Sequence, residues 1–232
     1  MNSALKLLRL APFFFLIFML SGCGKGSDFK VTEWNDDYDS RPIIFYLSGD
    51  AGFNTFSKNL GRDLHNFGYD VFALDTKSYF WSRKTPVQTS ADVEKYINRH
   101  LKGRKNKKVI IIGFSFGADV TAFVYNRFTP DLKNKIEKVF IIGPSKSNDF
   151  KIHLTEYFGE EFIGSFEVIP EINRMKGVPL MLVLSDFEFA HFPYNEITLN
   201  PAMYQMVHIH GDHHYGGNTE MLAGFLHQHI PK

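Results

Sequence analysis

The sequence predicts an α/β domain: a mostly parallel central sheet, helices on both of its faces, and a small or minimal cap. Three observations carry this. Short apolar runs rich in Ile, Val, Leu and Phe recur at residues 42–47, 109–112, 138–143 and 179–184. Strands that are apolar on both sides belong to sheets covered on both faces. Between them lie stretches with apolar residues at helical spacing, at 56–67, 89–101, 118–127 and 219–229, and strand–helix alternation is the mark of parallel pairing. The chain of 232 residues is long enough for one domain with a substantial core.

Composition narrows the classes. A formal net charge of +1 gives no reason to expect direct binding to nucleic acid or to a bulk acidic partner. With 24 Phe, 10 Tyr and 2 Trp, either the core is unusually aromatic or part of the excess lines a greasy site. The only cysteine, Cys23, excludes an internal disulfide.

The elements follow in order. Lys6 and Arg9 precede a short apolar run at 10–20, too short for a comfortable membrane span and laid out as a signal peptide. Leu20-Ser21-Gly22-Cys23 then resembles a bacterial lipobox. Residues 1–22 are therefore expected to be a lipoprotein signal peptide, Cys23 the lipidated residue, 23–30 a lipid-anchored tether and 31–232 the folded domain. Residues 31–34 are a marginal strand, and 42–47 a buried one ending in the small-residue loop Ser48-Gly49-Asp50-Ala51-Gly52. The helix at 56–67 puts Phe56, Leu60, Leu64 and Phe67 on one side and stops at Gly68. A strand at 69–75 leads to an aromatic and basic loop at 79–86. The helix at 89–101 has a capping signal in Thr89-Ser90-Ala91-Asp92. Residues 144–176 have no clean period, and 187–201 read as an irregular loop. Residues 204–210 are the last strand and 219–229 the closing helix.

The centre of the chain is the run from Val109 into Gly113-Phe114-Ser115-Phe116-Gly117. Gly-x-Ser-x-Gly between a strand and a helix is the setting of a nucleophile elbow. The turn is sharp, so its flanks must be nearly free of side chains. The amide of Phe116 can then donate to a developing oxyanion, and the amide of Asp50 can supply a second donor. In parallel sheets the site lies at the carboxyl ends of strands. Two further strand ends carry polar groups: Ser185-Asp186-Phe187-Glu188, and the run from His208 to Tyr215. Ser, acid, His is the chain order of the α/β-hydrolases, in which a histidine takes the serine proton and a carboxylate fixes the histidine. Glu188 is favoured over Asp186 as the acid because it sits further past its strand. His214, followed by Tyr215, is favoured over His213 as the base. His208 and His210 are expected to pack or face solvent. The run His208-x-His210-x-Asp212-His213 also has the form of a zinc motif. It is set aside because too little chain follows to supply the other ligands, so neither metal nor cofactor is expected.

These residues resemble one family. Residues 47–53, Ser78-Tyr79-Phe80-Trp81-Ser82-Arg83-Lys84-Thr85-Pro86, residues 113–119 and Gly211-Asp212-His213-His214-Tyr215 look like the motifs of the VirJ/AcvB bacterial virulence proteins. Ala51 and Ser185 stand where that family usually has glycine. The resemblance implies a periplasm-facing α/β-hydrolase that cleaves the aminoacyl ester of lysyl-phosphatidylglycerol, with links to type IV secretion. For such a substrate, Asp50 or Asp119 could pair with the lysyl ammonium, and Arg83 or Lys84 could meet the phosphate. Tyr79, Phe80, Trp81 and the Phe-rich stretch around Tyr157 could contact acyl chains. A lipidated Cys23 would hold the enzyme at the membrane beside its substrate. The competing expectations are a non-catalytic adaptor for type IV secretion and a general esterase of small soluble esters.

Overall fold

The computed structural model describes residues 28–152 and 163–232. The expectations for Cys23, the signal peptide, Leu154, Tyr157, Phe158 and Phe162 fall outside them. Nine strands and eight α-helices run in the order β1 (Val31–Trp34), β2 (Ile43–Leu47), α1 (Thr55–Asn66), β3 (Val71–Leu74), α2 (Thr76–Tyr79), α3 (Pro86–His100), β4 (Val109–Phe114), α4 (Phe116–Asn126), α5 (Pro130–Lys133), β5 (Ile136–Ile142), β6 (Ser147–Asn148), β7 (Phe166–Glu167), α6 (Val168–Ile172), β8 (Leu180–Leu184), α7 (Asp186–His191), β9 (Tyr204–His208) and α8 (Thr219–His229) among the described residues. The main sheet has the order β1-β3-β2-β4-β5-β8-β9. All its pairs are parallel except β1 with β3, at the edge. Among the described residues no helix is long and apolar enough to cross a membrane.

The two-residue period of a strand divides the core in two. Ile43, Phe45 and Leu47 of β2 face one cluster, shared with Val93 and Ile97 of α3 and Val120 and Val124 of α4. Ile44 and Tyr46 face the other, shared with Leu60 and Leu64 of α1 and Leu222 and Leu226 of α8. An unbroken apolar run is therefore needed at each central strand, because both faces are covered.

Local signals fix the ends. Asn54 caps α1 by accepting from Ser57 N at 2.9 Å, and Gly68 ends it at φ +83. The expected cap at Thr89 is corrected. α3 begins at Pro86, and Thr85 is its N-cap, accepting from Gln88 N at 3.1 Å. Proline is well placed there because the first helical amide has no intrahelical partner. The stretch at 187–201 is likewise not wholly irregular, since α7 occupies its start. β9 closes at His208, two residues short of its expected end. Between β5 and β8 the described residues form only a short β6–β7 ribbon and α6.

Candidate active site

The site is built on one turn. Ser115 stands between β4 and α4 with φ 54 and ψ −124, a region that costs a non-glycine residue about 1–2 kcal/mol. Its neighbours explain why the turn is possible. A Cβ on Gly113 would fall 2.1 Å from Thr121 Oγ1, and one on Gly117 would fall 2.1 Å from Leu47 O. Ser115 N donates to Ile142 O at 2.9 Å, and Ser115 O accepts from Ala118 N at 2.7 Å and Asp119 N at 3.1 Å. The turn is thereby pinned to β5 and to the first turn of α4. Ser115 lines a cavity of about 450 Å³ together with Asp50, Phe116, Gly143, Phe187, Glu188 and His213.

His213 and Glu188 form a direct pair, with His213 Nδ1 2.6 Å from Glu188 Oε1. Glu188 is buried. Its second oxygen, Oε2, accepts from Ser185 N at 3.0 Å and from the Ser185 hydroxyl. Burial pushes the Glu188 carboxyl up, but the hydrogen bonds from His213 and Ser185 outweigh it and leave it below the ordinary glutamate range. An ionised carboxylate only accepts, so His213 donates through Nδ1, and in the neutral ring Nε2 is the acceptor.

Gly143, just past β5, lies under this pair at φ +60. A Cβ there would come within 3.0 Å of His213 Cε1, 3.2 Å of His213 Nδ1 and 3.7 Å of Glu188 Cδ. Gly143→Ala would therefore displace the imidazole as well as strain the backbone. The imidazole would have to give by a few tenths of an ångström, less than the misplacement of about 1 Å that costs about 10²-fold in rate. Hydrolysis of a chromogenic ester is expected to fall, by less than about 10²-fold, with the labelling of Ser115 by a fluorophosphonate slowed in parallel.

The loop after β2 reaches the same cavity. Thr76 Oγ1 lies 2.6 Å from Gly49 O and 2.9 Å from Ser48 O, which ties the loop to the start of α2. A Cβ on Gly49 would meet Ser115 Cβ at 3.3 Å, so the backbone before Asp50 lies against the serine. Among the described residues the Asp50 carboxylate makes no hydrogen bond.

Other expected residues lie elsewhere. His214 is not the histidine paired with Glu188. Its ring stands edge-on to Phe56 at 5.0 Å, its amide donates to Asp212 Oδ1 at 2.9 Å, and burial holds its imidazole below the usual range. Asp186 does not pair with His213. It accepts from His208 Nε2 at 2.7 Å, His210 Nδ1 at 2.9 Å and Gly211 N at 2.9 Å. The Gly211 amide and the two imidazoles hold its carboxyl down at about 2. His208 packs on Phe189 and His210 faces solvent, as expected, and both also reach the Asp186 carboxylate.

Tyr79 and Phe80 are core residues, and the Tyr79 hydroxyl donates to Asp92 Oδ2 at 2.6 Å. Trp81 is 60% exposed and does not line the cavity. Arg83 is held by Asp149, 3.0 Å from its Oδ2, and Lys84 lies 3.5 Å from Asp28. Asp119 reaches the cavity wall, but it accepts from both the amide and the hydroxyl of Ser145 at 2.6 Å, tying down the loop after β5. Sequence reasoning missed Gly143, Ser145, Thr76 and Phe187. Gly143 alone carried a signal, as a glycine closing a predicted strand.

A strained serine at a strand–helix turn and an imidazole–carboxylate pair thus line one cavity. The family model for the bacterial virulence protein VirJ matches residues 41–232. The chain belongs to the VirJ family. Its solved neighbours are distant in sequence and close in fold. Est1E from Butyrivibrio proteoclasticus is 13% identical with a TM-score of 0.58, covering 88% of this chain and 96% of its own. A thioesterase domain from the curacin biosynthetic pathway is 12% identical with a TM-score of 0.56, covering 85% and 94%. The Paleococcus ferrophilus monoacylglycerol lipase is 12% identical with a TM-score of 0.55, covering 87% and 99%. These likenesses establish that this VirJ-family chain has the α/β-hydrolase fold. No curated protein sequence matches the chain.

Proposed function

We propose that the chain is a serine hydrolase of the cell envelope that cleaves the aminoacyl ester of lysyl-phosphatidylglycerol or a related aminoacylated lipid. The observation that carries the chemistry is the 2.6 Å contact of His213 with Glu188 in the cavity that holds Ser115. In this reading His213 Nε2 takes the Ser115 proton, and Ser115 Oγ attacks the aminoacyl carbonyl. The amides of Phe116 and Asp50 then receive the oxyanion. His213 returns its proton to the departing lipid hydroxyl. Water, deprotonated by the same imidazole, releases the amino acid and restores Ser115.

The substrate reading rests on the family resemblance, and it is supported by Asp50, an acidic residue that lines the cavity with Ser115 and would meet a cationic aminoacyl group. Lipidation at Cys23 would hold the enzyme at a membrane surface. A second reading, an adaptor that binds a secretion partner, is favoured by one feature, the outward Trp81.

The test uses the full chain in detergent with lysyl-phosphatidylglycerol, beside Ser115→Ala, with released lysine as the readout. Release by the wild type and none above background by the variant is the expected result. No release with intact fluorophosphonate labelling of Ser115 would discard this substrate and keep the hydrolase. Absence of both would favour the adaptor.

A further inference from the structure

We propose that Asp186, His208 and His210 form a binding site for a divalent transition-metal ion, with the ligand preference of zinc, beside the Glu188–His213 pair. The zinc-like run His208-x-His210-x-Asp212-His213 is divided by the structure. Asp212 accepts from the amides of His214 and Gly216, at 2.9 and 2.8 Å, and so closes its own turn. His213 goes to Glu188. His208 and His210 instead turn to a residue far away in sequence, Asp186 at the start of α7, and both reach the same oxygen, Oδ1, at 2.7 and 2.9 Å.

The geometry is close to what a metal needs. The donor atoms of the three side chains all lie within 4.8 Å of one another. A tetrahedral ion with ligands at about 2.0–2.1 Å sets its donor atoms about 3.3 Å apart. To admit it, the two imidazole nitrogens would retreat from Asp186 Oδ1 by about half an ångström and settle about 3.3 Å from each other, inside the 4.8 Å within which they now lie. Each ring would then carry its remaining proton on the far nitrogen, Nδ1 of His208 and Nε2 of His210.

Packing holds His208, and a backbone hydrogen bond holds Asp186. His208 and His210 share one side of the chain, while Ile209 packs into the core. The His208 ring lies flat on Phe189, with centroids 4.1 Å apart and planes 2° apart, and Phe189 in turn stacks on Tyr194 at 5.1 Å. Asp186 Oδ2 is fixed by the Gly211 amide. The His210 side chain is 86% exposed, which leaves room for water to complete the coordination. Two imidazoles and a carboxylate with open positions suit zinc and its transition-metal neighbours rather than calcium or magnesium. The position also has a consequence for the proposed catalytic pair, and this part rests on the proposed function. Asp186 precedes Glu188 on α7, and His210 precedes His213 on the loop after β9. An ion here would staple together the two segments that carry the acid and the base.

The experiment is zinc titration of the tag-free full chain by calorimetry, with thermal melts and with cobalt as a spectroscopic substitute. Expected are one-to-one saturable binding, a raised melting temperature and the visible absorption of tetrahedral cobalt. His208→Gln and His210→Gln should each weaken binding by more than about 100-fold, beyond the 10–100-fold typical of lost outer-shell partners. His210→Gln alters an exposed side chain and is expected to fold, and its melt in chelator checks this. No saturable binding below millimolar zinc would overturn the proposal. So would unchanged binding in His210→Gln, or binding that survives His210→Gln and is lost in His213→Gln, which would put the ion on the catalytic pair. None of these readouts requires hydrolysis, so failure of the proposed substrate leaves them intact.

Discussion

His213→Ala is expected to lower kcat/KM for ester hydrolysis by about 10⁴-fold or more, the usual cost of removing the base of such a triad. His214→Ala is expected to stay within about tenfold of wild type, well short of a lost general base. The two imidazoles are sequence neighbours, so the contrast isolates geometry. His213 has the buried carboxylate, lines the cavity with Ser115 and lies over Gly143. His214 packs on Phe56 and Phe114. Its loss is expected in the melting temperature, since truncating a half-buried ring removes apolar contact. Steady-state kinetics with a chromogenic ester, alongside circular dichroism of both variants, decide the matter. Equal kinetic loss in two folded variants would remove His213 from the role of base.

Gly117→Ala is expected to destabilise the fold by about 4 kcal/mol or more, at the exceptional end for a single substitution. The added Cβ would lie 2.1 Å from Leu47 O, 2.5 Å from Ser48 O and 2.6 Å from Leu47 C. An ordinary carbon–oxygen contact is about 3.3 Å or longer, so the overlap exceeds about 1 Å. All of the nearest atoms are backbone at the end of β2, an interior strand of the sheet, and no side chain can turn aside. At about 2–4 °C per kcal/mol for a chain of this size, the melting temperature should fall by about 10 °C or more. Gly224→Ala in α8 is the control. Its Cβ would meet Phe67 Cζ at 3.7 Å, an ordinary contact, and alanine favours a helix by about 1 kcal/mol over glycine. A melting temperature in Gly117→Ala equal to that control would show that the loop after β2 can yield.

The residues that betrayed the fold also show why part of the site was hidden. β2, β4, β5 and β8 were legible because a covered sheet demands apolar residues at every position, and the elbow was legible because its two glycines answer contacts of about 2 Å. Glu188 stood out from Asp186 by its distance past β8. The choice between His213 and His214 was not legible, since it depends on how the turn at Gly211 aims two adjacent rings. Tyr79 and Phe80 carry the side chains of a lipid contact and the burial of a core, and composition is the same in both cases. Asp119, Arg83 and Asp186 all find partners distant in sequence, and only the folded chain reveals that those charges are already engaged.

The strand order sets a distance that the side chains must cover. β9, which leads to His213, is separated from β4, which leads to Ser115, by β8 and β5. Neighbouring strands are about 4.8 Å apart, so the two residues leave the sheet about 14 Å apart. In the proposed chemistry a proton passes between them, which needs that separation to close to a hydrogen bond. His213 makes up most of it by leaning back across β8 until its ring stands over the end of β5. There it occupies the space that any side chain at position 143 would fill. The reach of His213 toward the serine is thus set by an atom that is missing, the Cβ of Gly143.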